Sequence, residues 1–194
     1  MNKALFLDRD GVINVNHGYV YQNRDFDFID GIFELVKRAN MQGYKVIVVT
    51  NQSGIGRGMY TESDFVALSA WMVAEFAKRD AIIDDVLFCP HHPQAPLEQY
   101  KKVCECRKPN TGMLNMAACK HHICLAKSIM VGDKLTDVEA AIKAGLREVV
   151  WFNPEFIEPD KASAAKLKVE LFSSELTPIT MTHSLEAIVT SLPV

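Results

Sequence analysis

Asp8 and Asp10, separated by one arginine and followed at once by Gly11, are two carboxylates delivered together by the short apolar run Leu5-Phe6-Leu7. Unpaired acids in such a place repel each other and cost desolvation energy, a conflict that a cation resolves. Further along, Thr50-Asn51-Gln52-Ser53 closes a second apolar run, Asp133-Lys134 closes another, and Arg107-Lys108 follows a proline-rich stretch. Three acids, a hydroxyl and cationic side chains suit phosphoryl transfer through Mg2+, which prefers few hard oxygen ligands and leaves room for water and a substrate phosphate. Asp8 can attack phosphorus only if its repulsion from the phosphate dianion is relieved. At ~4 Å and an effective dielectric of about 20, each pair of unit charges costs on the order of 4 kcal/mol. A metal bridging both groups removes that cost, and Lys108 with the Thr50 hydroxyl can stabilise the equatorial oxygens in the transition state.

A second chemistry-bearing group is Cys89-Pro90-His91 with Cys104-Glu105-Cys106, two short arms of metal-ligand type separated by twelve residues. Three thiolates and an imidazole make a closed tetrahedral Zn2+ site of the structural kind, with His91 or His92 as the imidazole. A proline-rich loop without a core of its own can be ordered by zinc, and Arg107-Lys108 come directly after the last ligand. Zinc would thereby position cations that bind substrate. Cys119, His121, His122 and Cys124 invite a similar reading, but Cys119 and His122 fall on a different helix face from His121, and we read them as structural.

These groups need elements that bring them together. Leu5 to Leu7, Lys45 to Thr50, Asp84 to Phe88, Ser128 to Val131 and Glu148 to Phe152 are short apolar runs, several rich in β-branched residues, as strands covered on both faces are. Between them, Ile32, Leu35, Val36 and Ala39 recur at helical spacing before Gly43, and Phe65, Leu68, Met72 and Phe76 do so in a helix expected to reach about Arg79. Thr61 with Asp64 resembles a capping arrangement at the start of that helix. Thr111 to His122 and Leu135 to Ala144 read as two more helices. The alternation predicts an α/β fold, a three-layer, doubly wound parallel sheet with right-handed crossovers, whose ligands bind at the carboxyl ends of the strands. Residues 15–30 read as a loop over that edge and residues 89–106 as an irregular excursion. Residues 153–194 are weaker, with a strand near Val169 to Phe172 and a short helix near Leu185 to Leu192.

The 194 residues, 48% hydrophobic and 23% charged, fit a single globular domain over 1–194. A net charge of −3 argues against a nucleic-acid or membrane-surface partner, and the presumed core strand at residues 3–7 leaves no place for a signal peptide. We expect a cytoplasmic protein, a monomer. Five cysteines in such a setting point to metal ligands or buried thiols more than to disulfides.

DRDGVIN at 8–14, VVTNQSG at 48–54, RKP at 107–109 and VGDKLTD at 131–137 resemble, in order, the four signature motifs of the haloacid-dehalogenase-like (HAD) phosphatases, over residues 3 to about 152. The resemblance implies a Rossmann-like core, here without a large cap domain. It makes Asp8 the nucleophile that forms an aspartyl-phosphate, and Asp10 the general acid and base with its backbone carbonyl on Mg2+. Asp133 completes the protein ligands of the metal. HGYV at 17–20, CPHHP, the CxCRKP run and VGDKLTD resemble more narrowly the heptose bisphosphate phosphatases of bacterial surface-sugar biosynthesis. That implies removal of the 7-phosphate from glycero-manno-heptose 1,7-bisphosphate, with the β anomer the expected one, on the route to lipopolysaccharide precursors. By the same resemblance Asn16, His17, Gly18, Tyr19, Thr50, Asn51, Gln52, Ser53, Arg107, Lys108 and Lys134 contact substrate, and Cys89, His91, Cys104 and Cys106 hold zinc. Physically, a bisphosphate needs more positive charge than one Mg2+ supplies, and Arg107 offers a fork suited to an anion. Asn16 stands where the family usually has aspartate and Val12 where threonine is frequent, yet position 16 stays polar and Val12 has no catalytic part.

Three other readings were weighed. Histidinol phosphate phosphatases share the first motif and the zinc loop, but HGYV favours the heptose enzymes. A receiver-type signalling domain also sets an aspartate, a threonine and a lysine at sheet ends, but it must keep its phosphate, and Asp10 two residues after Asp8 arms water. A zinc-stapled binding module leaves the ordered motifs unexplained.

Overall fold

The computed structural model describes residues 1–153 and 177–191. Its strands β1 (Lys3–Leu7), β2 (Tyr44–Asn51), β3 (Asp85–Cys89), β4 (Ile129–Gly132), β5 (Glu148–Phe152) and β6 (Ile179–Thr182) form one sheet in the order β3-β2-β1-β4-β5-β6. Every pairing is parallel. The helices are α1 (Ile32–Met41), α2 (Ser53–Gly56), α3 (Glu62–Ala77), α4 (Gly112–His121), α5 (Leu135–Lys143) and α6 (Leu185–Ser191).

The unbroken apolar run of β1 follows from its place at the centre of the sheet. Leu5 and Leu7 face one layer with Ile32, Leu35 and Val36 of α1, Leu68, Met72 and Phe76 of α3 and Leu185 and Ile188 of α6. Ala4 and Phe6 face the other, with Met113, Leu114 and Ala117 of α4 and Val138, Ala140 and Ala141 of α5. A strand buried on both faces has no polar face to alternate with. The predicted doubly wound sheet is therefore the observed one, with bounds shifted by a residue or two and α3 ending at Ala77. Thr61 and Asp64 make the expected capping box reciprocally, Asp64 N donating to Thr61 Oγ1 at 3.1 Å and Thr61 N to Asp64 Oδ2 at 2.8 Å.

The strand expected near Val169 to Phe172 lies outside the described residues. A strand that sequence reading passed over, β6, pairs with β5 from Val149↔Ile179 to Phe152↔Thr182. The short helix near residue 185 is α6.

Residues 15–30 form the expected loop, anchored from within. Val20 and Phe26 are buried, and Phe28 packs on Phe26, Phe33, Trp71 and Phe76 with ring centroids 4.7–5.8 Å apart. The chain turns tightly from Arg9 to Asn14, with the amides of Ile13 and Asn14 both donating to Arg9 O at 2.8 and 3.1 Å. At the loop tip Gly18 and Tyr19 take left-handed φ values of 80° and 54°. No helix among the described residues is long and apolar enough to cross a membrane.

Candidate active site

Leu7 pairs with Val48 on one side and Val131 on the other, so the residues after β1, β2 and β4 emerge along one edge. Asp8 continues the pairing, its amide donating to Val131 O at 3.0 Å. The side chain is 4% exposed and lies 3.0 Å from Lys108 Nζ. That ammonium, itself 3% exposed, stands 2.6 Å from Asp137 Oδ1 and donates to Val49 O at 2.7 Å. The backbone that carries Lys108 is fixed to β2, with Lys108 N donating to Asn51 Oδ1 and Asn51 Nδ2 to Lys108 O, each at 3.0 Å.

Charge is unbalanced in this cluster. Carboxyl oxygens of Asp8, Asp133 and Asp137 lie within 4.8 Å of one another, against the single buried ammonium of Lys108. Burial alone would strip the Lys108 proton, but Asp8 and then Asp137 hold the ammonium charged. Burial alone would also raise Asp8, yet Lys108 and Lys134 keep its carboxyl below the ordinary range. Asp133 carries the deficit: burial, then repulsion from Asp8, pushes it up to about 7. Asp133 Oδ1 is buried without a hydrogen bond, with Lys134 Nζ 3.6 Å away. Gly11 packs directly against this carboxylate, and a Cβ there would fall 2.3 Å from Asp133 Oδ2. Three acids with one cation among them are the donor set of a hard divalent ion.

Asp10 is held apart from this cluster. Arg9 donates to both of its oxygens, NH2 lying 2.8 Å from Oδ1 and 2.9 Å from Oδ2. Gln52 Nε2 donates to Oδ2 at 2.9 Å and Asn14 Nδ2 to Oδ1 at 3.2 Å. Gln52 Nε2 also donates to the Thr50 hydroxyl at 2.9 Å.

The Asp10 side chain opens onto a cleft of about 200 Å³ lined also by Asn16, Gly18, Tyr19, Asn51, Gln52, Ser53 and Lys134. Seven of the residues expected to contact substrate thus surround one space. Thr50 and Lys108 lie beneath it, buried. His17 turns away, its Nε2 2.8 Å from Asp27 Oδ2. Arg107 is half-buried and donates to His91 O at 3.2 Å, which ties it to the cysteine loop.

In that loop Cys89, His91 and Cys104 present ligand atoms within 4.8 Å of one another. Cys89 Sγ lies 3.7 Å from His91 Nδ1. Cys106 stands outside this group, its thiol donating to Met116 Sδ at 3.6 Å. Burial, then Cys104, raises its thiol above the ordinary range. Of the two candidate imidazoles, it is His91 whose ring nitrogen lies in this group, while His92 Nδ1 accepts from Gln94 N at 3.1 Å. Cys119 is exposed, and His121 Nε2 lies 2.7 Å from Asp85 Oδ2 in a contact between α4 and β3.

Sequence reading missed Asp137, Arg9 and Tyr60. Asp137 is the third residue of α5 and accepts from Lys134 N at 3.0 Å, and an acid in the first turn of a helix that follows VGDK could have been read as facing the same edge. Arg9 sits between the two aspartates, and nothing in its neighbours tells that it folds back on one of them. Tyr60 reaches Gln52 through a tertiary contact of buried side chains.

A parallel sheet of this order, with an aspartate pair after its central strand and a lysine and acids on the flanking elements, defines a HAD-like hydrolase. The HAD-hydrolase-like family model matches residues 105–151. The chain is 47% identical over 163 residues to D-glycero-beta-D-manno-heptose-1,7-bisphosphate 7-phosphatase of Escherichia coli K12, covering 84% of this chain and 85% of that protein. It is 50% identical over 143 residues to the enzyme of the same name from Salmonella typhi, covering 74% and 76%. A D,D-heptose 1,7-bisphosphate phosphatase from B. bronchiseptica, solved with magnesium and phosphate, superimposes with a TM-score of 0.76 at 27% identity over 97% of this chain and 96% of that one. The chain belongs to the heptose bisphosphate phosphatase family of HAD-like hydrolases, and it is an enzyme of phosphoric monoester hydrolysis.

Proposed function

We propose that the protein is an Mg2+-dependent phosphatase that removes the 7-phosphate of D-glycero-β-D-manno-heptose 1,7-bisphosphate and leaves the heptose 1-phosphate. One observation carries the reading: a buried Asp8–Lys108–Asp137 platform with Asp133 beside it, lacking positive charge, in a chain so similar to phosphatases of that name. The β anomer is the one in the names of those relatives. In the setting that the sequence resemblance implies, the product leads to nucleotide-activated heptose for lipopolysaccharide.

The residues fit Mg2+. Asp8 and Asp133 would hold it with the Asp10 backbone carbonyl, and the buried, unbonded Asp133 Oδ1 is an oxygen in need of a cation. Bound there, the ion would neutralise the substrate phosphate and the nucleophile together. Asp8, held ionised by Lys108, attacks the phosphorus of the 7-phosphate, and an Asp8–phosphate bond forms as the bond to the sugar oxygen breaks. Asp10 gives its proton to that departing oxygen. In the second half Asp10 takes a proton from water, whose oxygen attacks phosphorus and releases Asp8 as carboxylate. Lys108, fixed by Asp137 and Val49 O, is the cation that faces the phosphoryl oxygens, with the Thr50 hydroxyl beside it. Asn16, Gly18, Tyr19, Asn51 to Ser53 and Lys134 grip the sugar and its remaining phosphate, joined by the Arg107 guanidinium.

Cys89, His91 and Cys104, with Cys106 turned inward, would hold a structural Zn2+ that orders residues 89–106 and fixes the strand of chain leading to Arg107 and Lys108. Phosphate release measured with Mg2+ should be far faster from the β-heptose 1,7-bisphosphate than from its α anomer or from histidinol phosphate. A higher kcat/KM on histidinol phosphate would reverse the assignment of substrate.

A further inference from the structure

Gln52 has its amide orientation fixed by Tyr60, whose buried hydroxyl donates to Gln52 Oε1 at 2.5 Å. With its oxygen occupied, Gln52 can turn only its NH2 towards Asp10 Oδ2 and the Thr50 hydroxyl. Tyr60 is packed in turn. Gly54 leaves the space for its ring, since a Cβ at 54 would fall 2.3 Å from Tyr60 Cε1, and Tyr21 stacks on it with centroids 5.4 Å apart and planes 5° from parallel. On the opposite side of Asp10, Arg9 is 1% exposed and lies across the faces of Phe65 and Phe26 at 5.5 and 6.0 Å. Its NH2 also donates to Val20 O at 2.7 Å.

Two of the three holds on the Asp10 carboxylate therefore end in one loop, Arg9 at Val20 and the Gln52–Tyr60 relay at Tyr21, and the third, Asn14, also donates to Val15 O where that loop begins. The same loop sends Asn16, Gly18 and Tyr19 into the cleft. We propose that Tyr60 and Tyr21 are positioning residues for the proton transfer at Asp10, and that they tie its placement to the seating of residues 16–21. This rests on the assignment of Asp10 as the acid and base. Tyr60 also lines the cleft, and its hydroxyl meets Asp10 only through Gln52. Tyr60 sets the plane of the carboxylate through Gln52, and Tyr21 holds Tyr60.

A structural role would slow every substrate alike, whereas misplacing the acid harms only substrates whose leaving oxygen needs a proton. kcat/KM reports events up to the first irreversible step, in which the Asp8–phosphate bond forms, the bond to the leaving oxygen breaks and the Asp10 proton moves to that oxygen. A sugar oxygen needs that proton and a p-nitrophenolate does not. The test is kcat/KM for heptose 1,7-bisphosphate, for a simple alkyl phosphate that lacks the sugar contacts of residues 16–21, and for p-nitrophenyl phosphate in the wild-type protein, Tyr60→Phe, Tyr21→Leu and Asp10→Asn. The alkyl value falls alongside the sugar value if the acid is misplaced. Tyr60→Phe keeps the ring and its stacking and removes one hydroxyl. We expect it to lower the sugar-phosphate value about 10-fold, the order of one lost buried hydrogen bond, and the aryl value less than about twofold. Tyr21→Leu should lower the same ratio by a smaller factor. Equal losses on the sugar and aryl phosphates, no loss on either, or a loss on the sugar phosphate that the alkyl phosphate does not share would overturn the proposal. If Asp10→Asn itself shows no dependence on the leaving group, the acid assignment fails and the proposal fails with it. A selective loss in Asp10→Asn without one in Tyr60→Phe refutes the relay alone.

Discussion

Lys108 is held between two carboxylates in a place that water does not reach, so its charge depends on both. Removing one partner of a buried ion pair leaves an uncompensated charge and costs more than the pair contributes. Asp8 stays on Lys108 when Asp137 is removed, so Asp137→Ala should cost less than an unpaired charge in urea denaturation and should lower kcat, because Lys108 would then turn wholly to the nucleophile. Asp8→Asn differs. It keeps the shape and leaves Asp137 on Lys108, so the protein should stay folded by circular dichroism while phosphate release falls to background. Turnover in that variant would refute the covalent route. At this scale the sequence was a partial guide. Asp8, Asp10, Asp133 and Lys108 could be picked out because acids and cations at strand ends have few structural uses, and their motifs have a familiar order. Arg9 and Tyr60 could not, since an arginine or tyrosine becomes a positioning group only when the fold brings its partner near. His17 lies 2.8 Å from Asp27 in an exposed contact, a choice between neighbours that spacing does not reveal.

Among the elements, β3 is at the edge of the sheet and is fastened to α4 by its first residue. Asp85 Oδ2 lies 2.8 Å from Lys120 Nζ and 2.7 Å from His121 Nε2. Burial pushes Asp85 up, but the bonds from His121 and Lys120 outweigh it, and the carboxyl sits below its ordinary value of 3.8. A depressed carboxyl contributes stability above the unfolded value, and that contribution is lost as pH falls through the folded one. Asp85→Asn should therefore unfold at lower denaturant than wild type at pH 7, and the gap should close as the pH drops well below 4 (about the unfolded carboxyl value). A gap that persists there would show that the contact is not electrostatic. The doubly covered strands were legible because burial on both faces leaves an unbroken apolar run. β6 was not, because Ile179-Thr180-Met181-Thr182 alternates over four residues at the sheet's other edge and half of it is polar. β3, at the opposite edge, was legible because Val86-Leu87-Phe88 is an unbroken apolar run.

For the whole molecule, one buried cluster depends on groups from distant parts of the chain: Asp8 after β1, Lys108 after the cysteine loop, and Asp133 and Asp137 around the start of α5. The loop that delivers Lys108 has little core of its own, so its order should depend on metal. Zinc should be found bound at a stoichiometric level by elemental analysis. Chelation should make residues 89–106 sensitive to protease and raise KM through Arg107. Protein that carries no zinc and resists protease would remove the metal from this account.

The central position of β1 has a consequence for synthesis. The strand that carries the nucleophile leaves the ribosome before its neighbours in the sheet, and one of them, β4, follows more than a hundred residues later, so Ala4 N finds its acceptor in Ser128 Oγ only then. Until that point β1 can pair with β2 alone, a short parallel ladder with one edge open. A nascent chain stalled before the end of β4 therefore holds Asp8 without Asp133 or Asp137, and it has no complete site with which to meet substrate or metal. The cluster around Lys108 is complete only once α5 has supplied Asp137.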